Sequence, residues 1–188
     1  VIQGIPTRFK GVNFRSRLEA KWAHVFDQFG WEWAYEPFDL EGWIPDFLIR
    51  CKGDADLLVD IKPLSRYTAK PVDIIEKMEE AVAASPEWYN LAVLGIEPDR
   101  EFTIGWLHLG NWWDTAIFST PDHHPEYVGI CQTASDWTDP ISGEHTHGSA
   151  WPETERRVVA AFRGALNRVQ WNAKEPRHIA DVLGEFRL

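Results

Sequence analysis

Between Asp56 and Lys62 the chain reads DLLVDIK, and this stretch limits the possible folds more than any other. With the two-residue period of a strand, Leu57, Val59 and Ile61 face one way while Asp56, Leu58, Asp60 and Lys62 face the other. Asp60 and Lys62 then share a face, about 6 to 7 Å apart at Cα. Pro63, which lacks the N–H a ladder needs, ends the run.

The flanking segments can be read in the same way. From Phe14 to Phe29 the apolar residues Phe14, Leu18, Trp22, Val25, Phe26 and Phe29 recur at three- and four-residue steps, which predicts an amphipathic helix terminated by Gly30. Trp31 to Glu36 and Ile44 to Arg50 read as short strands, and Pro71 to Ala84 as a helix with proline at its first position. Leu91 to Ile96 and Phe102 to Leu109 read as further strands, so the order predicts a mixed α/β sheet flanked by helices. Residues 110–151 carry Trp, His, Pro, Gly and Asp without a sustained period, and loops are expected there. From Glu153 to about Trp171 a C-terminal helix is expected. Its apolar stripe is Val158, Ala161, Phe162, Ala165, Leu166 and Val169, with Arg156, Arg157, Arg163 and Arg168 opposite.

A chain of 188 residues that is 44% hydrophobic has material for one core, so a single domain is expected, with its core at about 8–109. Apolar runs are too short to span a membrane and the N-terminus lacks a signal-peptide layout, which points to a soluble cytoplasmic protein with no membrane partner. Cys51 and Cys131 are too few and too far apart for a disulfide framework or a CxxC unit. The formal charge of -10 opposes a polyanionic partner, yet residues 1–21 hold five basic side chains against one acid, Glu19. Residues 101–150 hold seven acids and no Lys or Arg, so the negative charge lies largely in the middle.

If the Ile44 to Arg50 strand pairs with the next as a hairpin, Asp46 faces Asp60 across the ladder. Two carboxylates held together repel unless a cation lies between them, and Mg²⁺ suits such oxygen ligands. Glu19 lies at the edge of its helix's apolar arc, one turn from Arg15, where an acid can reach toward the sheet. Together these groups could hold a metal against a phosphate and activate a water.

The series Phe14-Arg15-Ser16-Arg17-Leu18-Glu19, Trp33-Ala34-Tyr35-Glu36-Pro37, Ile44-Pro45-Asp46-Phe47-Leu48 and Leu58-Val59-Asp60-Ile61-Lys62 resembles the PD-(D/E)xK nuclease superfamily. It is most similar to the phage junction-resolving endonuclease I and transposon end-cleaving branches. The resemblance implies a restriction-endonuclease-like core and a metal-dependent DNA endonuclease. Asp46, Asp60 and the Ile61 carbonyl would bind Mg²⁺ or Mn²⁺, Glu19 a second metal or a bridging water, and Lys62 the attacking water and scissile phosphate. Products would carry 5'-phosphate and 3'-hydroxyl ends. The chain departs from the commonest pattern in having Asp60 where Glu is more frequent and Pro63 where Gly often follows.

Arg15, Arg17 and Lys10 are candidate DNA contacts, Arg15 foremost, while Ser16 and Gln28 suit capping and surface roles. The arginine face of the last helix and Trp112-Trp113 offer further contacts, to backbone and to unpaired bases. His123, His124, His145, His147 and Cys131 invite a zinc reading, against which stands the lone cysteine of that region. The alternative to an enzyme is a non-catalytic DNA- or protein-binding module on the same fold, or a nuclease subunit of a larger nucleoprotein complex. A homodimer would supply two sites for two strands.

Overall fold

The computed structural model describes residues 4–53, 55–121, 127–133, 138–147 and 152–169. It begins with an antiparallel hairpin, β1 (Thr7–Phe9) and β2 (Val12–Phe14), whose turn residues Lys10 and Gly11 have φ of 48° and 83°. Positive φ at both positions matches the right-handed twist of the flanking strands.

Helix α1 (Arg17–Phe29) begins later than the apolar period suggests, because Phe14 is the buried end of β2 and Ser16 is the N-cap. Ser16 is extended at φ -137° and ψ 157°, and its hydroxyl accepts the Glu19 N–H at 3.1 Å. At the other end Gly30, with φ 72°, donates to the carbonyls of Asp27 and Phe26 and stops the helix.

An eight-stranded sheet follows, built from β3 (Trp33–Tyr35), β4 (Phe47–Ile49), β5 (Leu57–Ile61), β6 (Asn90–Leu94), β7 (Thr103–Leu109), β8 (Trp112–Pro121), β9 (Gly129–Gln132) and β10 (Thr146–His147). Its order is β10-β8-β7-β6-β5-β4-β3, with β9 also on β8. The β5–β6 pair is parallel while the other neighbours are antiparallel, giving the expected mixed sheet. A parallel neighbour requires a crossover, and helix α2 (Val72–Ala83) supplies it. Helix α3 (Pro152–Arg168) is the last element among the described residues.

The helices divide between the two faces of the sheet. On one face α1 and α3 pack together over Phe47, Val59, Leu94 and Phe118, with the Trp22 and Phe162 rings edge to face at 5.2 Å. On the other, Ile75, Met78 and Ala81 of α2 cover Leu48, Leu58, Leu91 and Val93. Strand β5 is therefore covered on both sides, and all five of its residues are buried. On α3 the expected stripe is buried except for Leu166, which is exposed.

The expectation of loops across 110–151 is corrected. That span contains the ten residues of β8, then β9 and β10. Strand β8 lies inside the sheet, with β7 on one edge and β9 and β10 on the other, and residues 116–120 are buried in succession. Burial on both faces removes the alternation that identifies a half-exposed strand. Among the described residues no helix is long and apolar enough to cross a membrane.

Candidate active site

The β4–β5 hairpin pairs as expected, Phe47 with Val59 and Leu48 with Leu58. Asp46 immediately precedes β4, and its Oδ2 accepts the Ile61 N–H at 2.7 Å. The side chain thus takes up a backbone donor at the end of the ladder. Asp46 is 3% exposed and Asp60 4%, and Lys62 forms an ion pair with Asp60 while its Nζ lies 3.5 Å from the Ile61 carbonyl. Burial raises the Asp46 carboxyl to about 7 and the Asp60 charge adds to the rise, while Lys62 and the Ile61 N–H act in the opposite direction.

Arg15 closes the acid pair from above. Its guanidinium lies 2.5 Å from Asp46 Oδ1 and its Nε 2.7 Å from Glu36. Burial works against the charged form of Arg15, but the bond with Tyr35 and the charges of Asp46 and Glu36 outweigh it and raise its pKa. Glu36 has φ 43°, an unusual conformation for a non-glycine residue, and its N–H donates to the Asp46 carbonyl at 3.0 Å. Asp46 is thereby held at both backbone and side chain.

Glu19 has other partners. Its carboxylate accepts the Ser16 hydroxyl at 2.7 Å, the Arg15 N–H at 3.1 Å and the Tyr35 hydroxyl at 2.5 Å. Tyr35 is raised by its burial and by this carboxylate. Helix α1 lies on the sheet face opposite α2, whereas Asp60 shares the two-residue parity of Leu58, which α2 covers. Arg15 links the two sides, with its backbone bonded to Glu19 and its side chain to Asp46.

The remaining candidates are more distant. Lys10, at the hairpin turn, pairs with Asp27 of α1 at 2.7 Å. Arg17 is the exposed first residue of α1. Trp113 is tied by its indole N–H to Glu79 at 2.7 Å, whereas Trp112 is 55% exposed. Of the zinc candidates, His123 and His124 lie outside the described residues and Cys131 is buried in β9. Among the described residues no group of three or more His, Cys, Asp or Glu is placed to hold a metal ion. The Glu19 charge nonetheless acts on Asp46, adding to the rise of its pKa.

A cavity of about 470 Å³ opens over Asp46 and Asp60, lined by Arg15, Trp43, Ile44, Asp46, Asp60, Lys62, Asp73, Ile74 and Lys77. Arg15 and the β4–β5 residues follow from the sequence pattern, whereas Glu36, Tyr35, Trp43, Asp73 and Lys77 enter the site only in the fold. Tyr35 and Glu36 belong to the quoted YEP segment and were within reach. Asp73 and Lys77 arrive by the α2 crossover and carry no local signal. Comparison with protein-family models, with curated proteins and with solved structures finds no match to this chain.

Proposed function

We propose that the chain is a metal-dependent DNA endonuclease with a restriction-endonuclease-like core, hydrolysing phosphodiester bonds to 5'-phosphate and 3'-hydroxyl ends. The supporting observation is the buried pair Asp46 and Asp60 with Lys62 at the end of β5, open to a cavity on one side.

The residues fit a divalent ion. Both acids are hard oxygen donors, and Asp46's raised proton affinity, due to burial and to the second acid, marks a place where positive charge is favoured. Mg²⁺ commonly takes one or two protein carboxylates and fills its other positions with water and phosphate oxygens. Asp46, Asp60 and the Ile61 carbonyl would hold Mg²⁺ or Mn²⁺. When bound, the ion supplies Lewis-acid polarisation of the phosphoryl oxygen and a more acidic water.

Each side chain has a role that follows from its contacts. Lys62, steered by Asp60, presents an ammonium where a scissile phosphate would sit, orienting the attacking water and offsetting charge as the leaving oxygen departs. Arg15 reaches the same cavity and neutralises Asp46. Glu19 acts through Arg15: it fixes the backbone from which that guanidinium projects. Cutting two strands requires a second site, so a homodimer or a larger nucleoprotein complex belongs to this proposal.

The deciding experiment is a cleavage panel over linear duplex, branched and single-stranded DNA with Mg²⁺, run beside Asp60→Ala and Lys62→Ala. Cleavage by the parent chain and a loss of about 10³-fold or more in both variants is expected. A folded parent chain that cleaves none of these substrates with Mg²⁺ or Mn²⁺ would sink the reading.

A further inference from the structure

The cavity over Asp46 and Asp60 contains more charge than phosphodiester chemistry at a single phosphate requires. Three cations line it, Arg15, Lys62 and Lys77. Two are already engaged, Arg15 by Asp46 and Glu36 and Lys62 by Asp60. Lys77 is exposed on α2 and forms no ion pair or hydrogen bond with any described residue, including Asp73 one turn earlier on the same helix. Trp43, Ile44 and Ile74 line the same cavity, with Ile44 41% exposed.

We infer that Lys77 binds a second phosphate of the same nucleic-acid strand, so that the site grips two phosphates, one over Asp46, Asp60 and Lys62 and one at α2. This rests on the nuclease reading and specifies how its substrate is held. A cavity lined by cations and by apolar side chains together fits a chain in which phosphates are joined by sugars. A small phosphorylated metabolite would need polar groups where Ile44 and Ile74 stand. Helix α2 sets four acids, Asp73, Glu76, Glu79 and Glu80, against Lys77, so Lys77 acts as a directed contact and not as part of a broad basic field.

The test uses the full chain with a fluorescent DNA duplex. Affinity is measured by anisotropy without added metal, and KM and kcat are measured with Mg²⁺. Lys77→Ala is expected to weaken binding and raise KM by about tenfold while kcat stays within about twofold, with Lys77→Arg restoring both. The slope of log affinity against log salt should become shallower by about 0.9, the value of one phosphate contact. Asp73→Asn, which removes the neighbouring anion, should tighten binding. If Lys77→Ala leaves affinity, KM and salt slope at parental values while cleavage proceeds, the Lys77 assignment is wrong and the nuclease reading stands. A parent chain that neither binds nor cleaves DNA overturns both. If it binds without cleaving, the affinity of Lys77→Ala alone decides.

Discussion

Arg15 is fixed at both ends, its N–H shared between Glu19 and the Tyr35 hydroxyl at 3.1 and 3.0 Å and its guanidinium held by Asp46 and Glu36. Losing one of these holds should loosen the cation without removing it. Glu19→Ala is therefore expected to cost about 1–2 kcal/mol of stability, through the lost bonds from the Ser16 hydroxyl and the Arg15 N–H and a half-buried Tyr35 hydroxyl left without its acceptor. It should slow cleavage by only about tenfold, whereas Asp60→Ala should lose about 10³-fold or more at nearly unchanged stability. Thermal melts beside single-turnover rates separate the two, and equal rate losses would return Glu19 to the reacting centre. Asp46, Asp60, Lys62 and Arg15 were legible because strand period and motif order place them without tertiary knowledge. Glu19 was only half legible: helical periodicity gives its angle around α1, not the face of the sheet on which α1 packs. Lys77 left no trace, since one lysine on the outer side of an amphipathic helix is what solvent alone would select.

Between α1 and α3 lies His24, 3% exposed, edge-on to Phe9 at 5.7 Å and close to Gly164, where a Cβ would come within 3.2 Å of the imidazole. Burial lowers its pKa below 6.5, the charge of Arg168 lowers it further, and Asp27 opposes. Below 6.5 the unfolded chain then binds more protons than the folded one, so stability falls as pH drops through that region. His24→Gln should flatten this part of a denaturation-midpoint profile, and an unchanged slope would place the titration elsewhere. A second element depends on Asp139, fully buried, whose carboxylate accepts the N–H groups of Ile130, Ile141 and Ser142 and the Ser142 hydroxyl at 2.6 Å. Asp139→Ala leaves those donors without an acceptor and is expected to cost at least about 2 kcal/mol in urea unfolding. The same region explains why β8 to β10 went unread. Its buried Thr120, Gln132 and Asp139 look like loop composition, and only the partners that satisfy such groups make them interior residues. The helices and β4 to β7 were readable because apolar period and burial coincide there.

The whole molecule carries a net charge of -10, and a polyanion meets it at a few directed cations. With Arg15, Lys62 and Lys77 as the cavity's positive groups, the salt dependence of DNA binding should be no steeper than about -3 on a log-log plot. A slope near about -6 would point instead to the exposed Arg156, Arg163 and Arg168 of α3 as a second contact surface. Most of the architecture that carries the site follows from one hairpin and one crossover: β4 and β5 set the acids side by side, and α2 brings its charges to the same end of the sheet. Within that frame Asp46 differs from its partners, because its carboxylate also takes up the Ile61 N–H. A lineage that abandoned cleavage would be free to replace Asp60 and Lys62 early, whereas replacing Asp46 would expose a frayed strand end. Among diverged copies of this chain, Asp46 should be the last of the three to disappear.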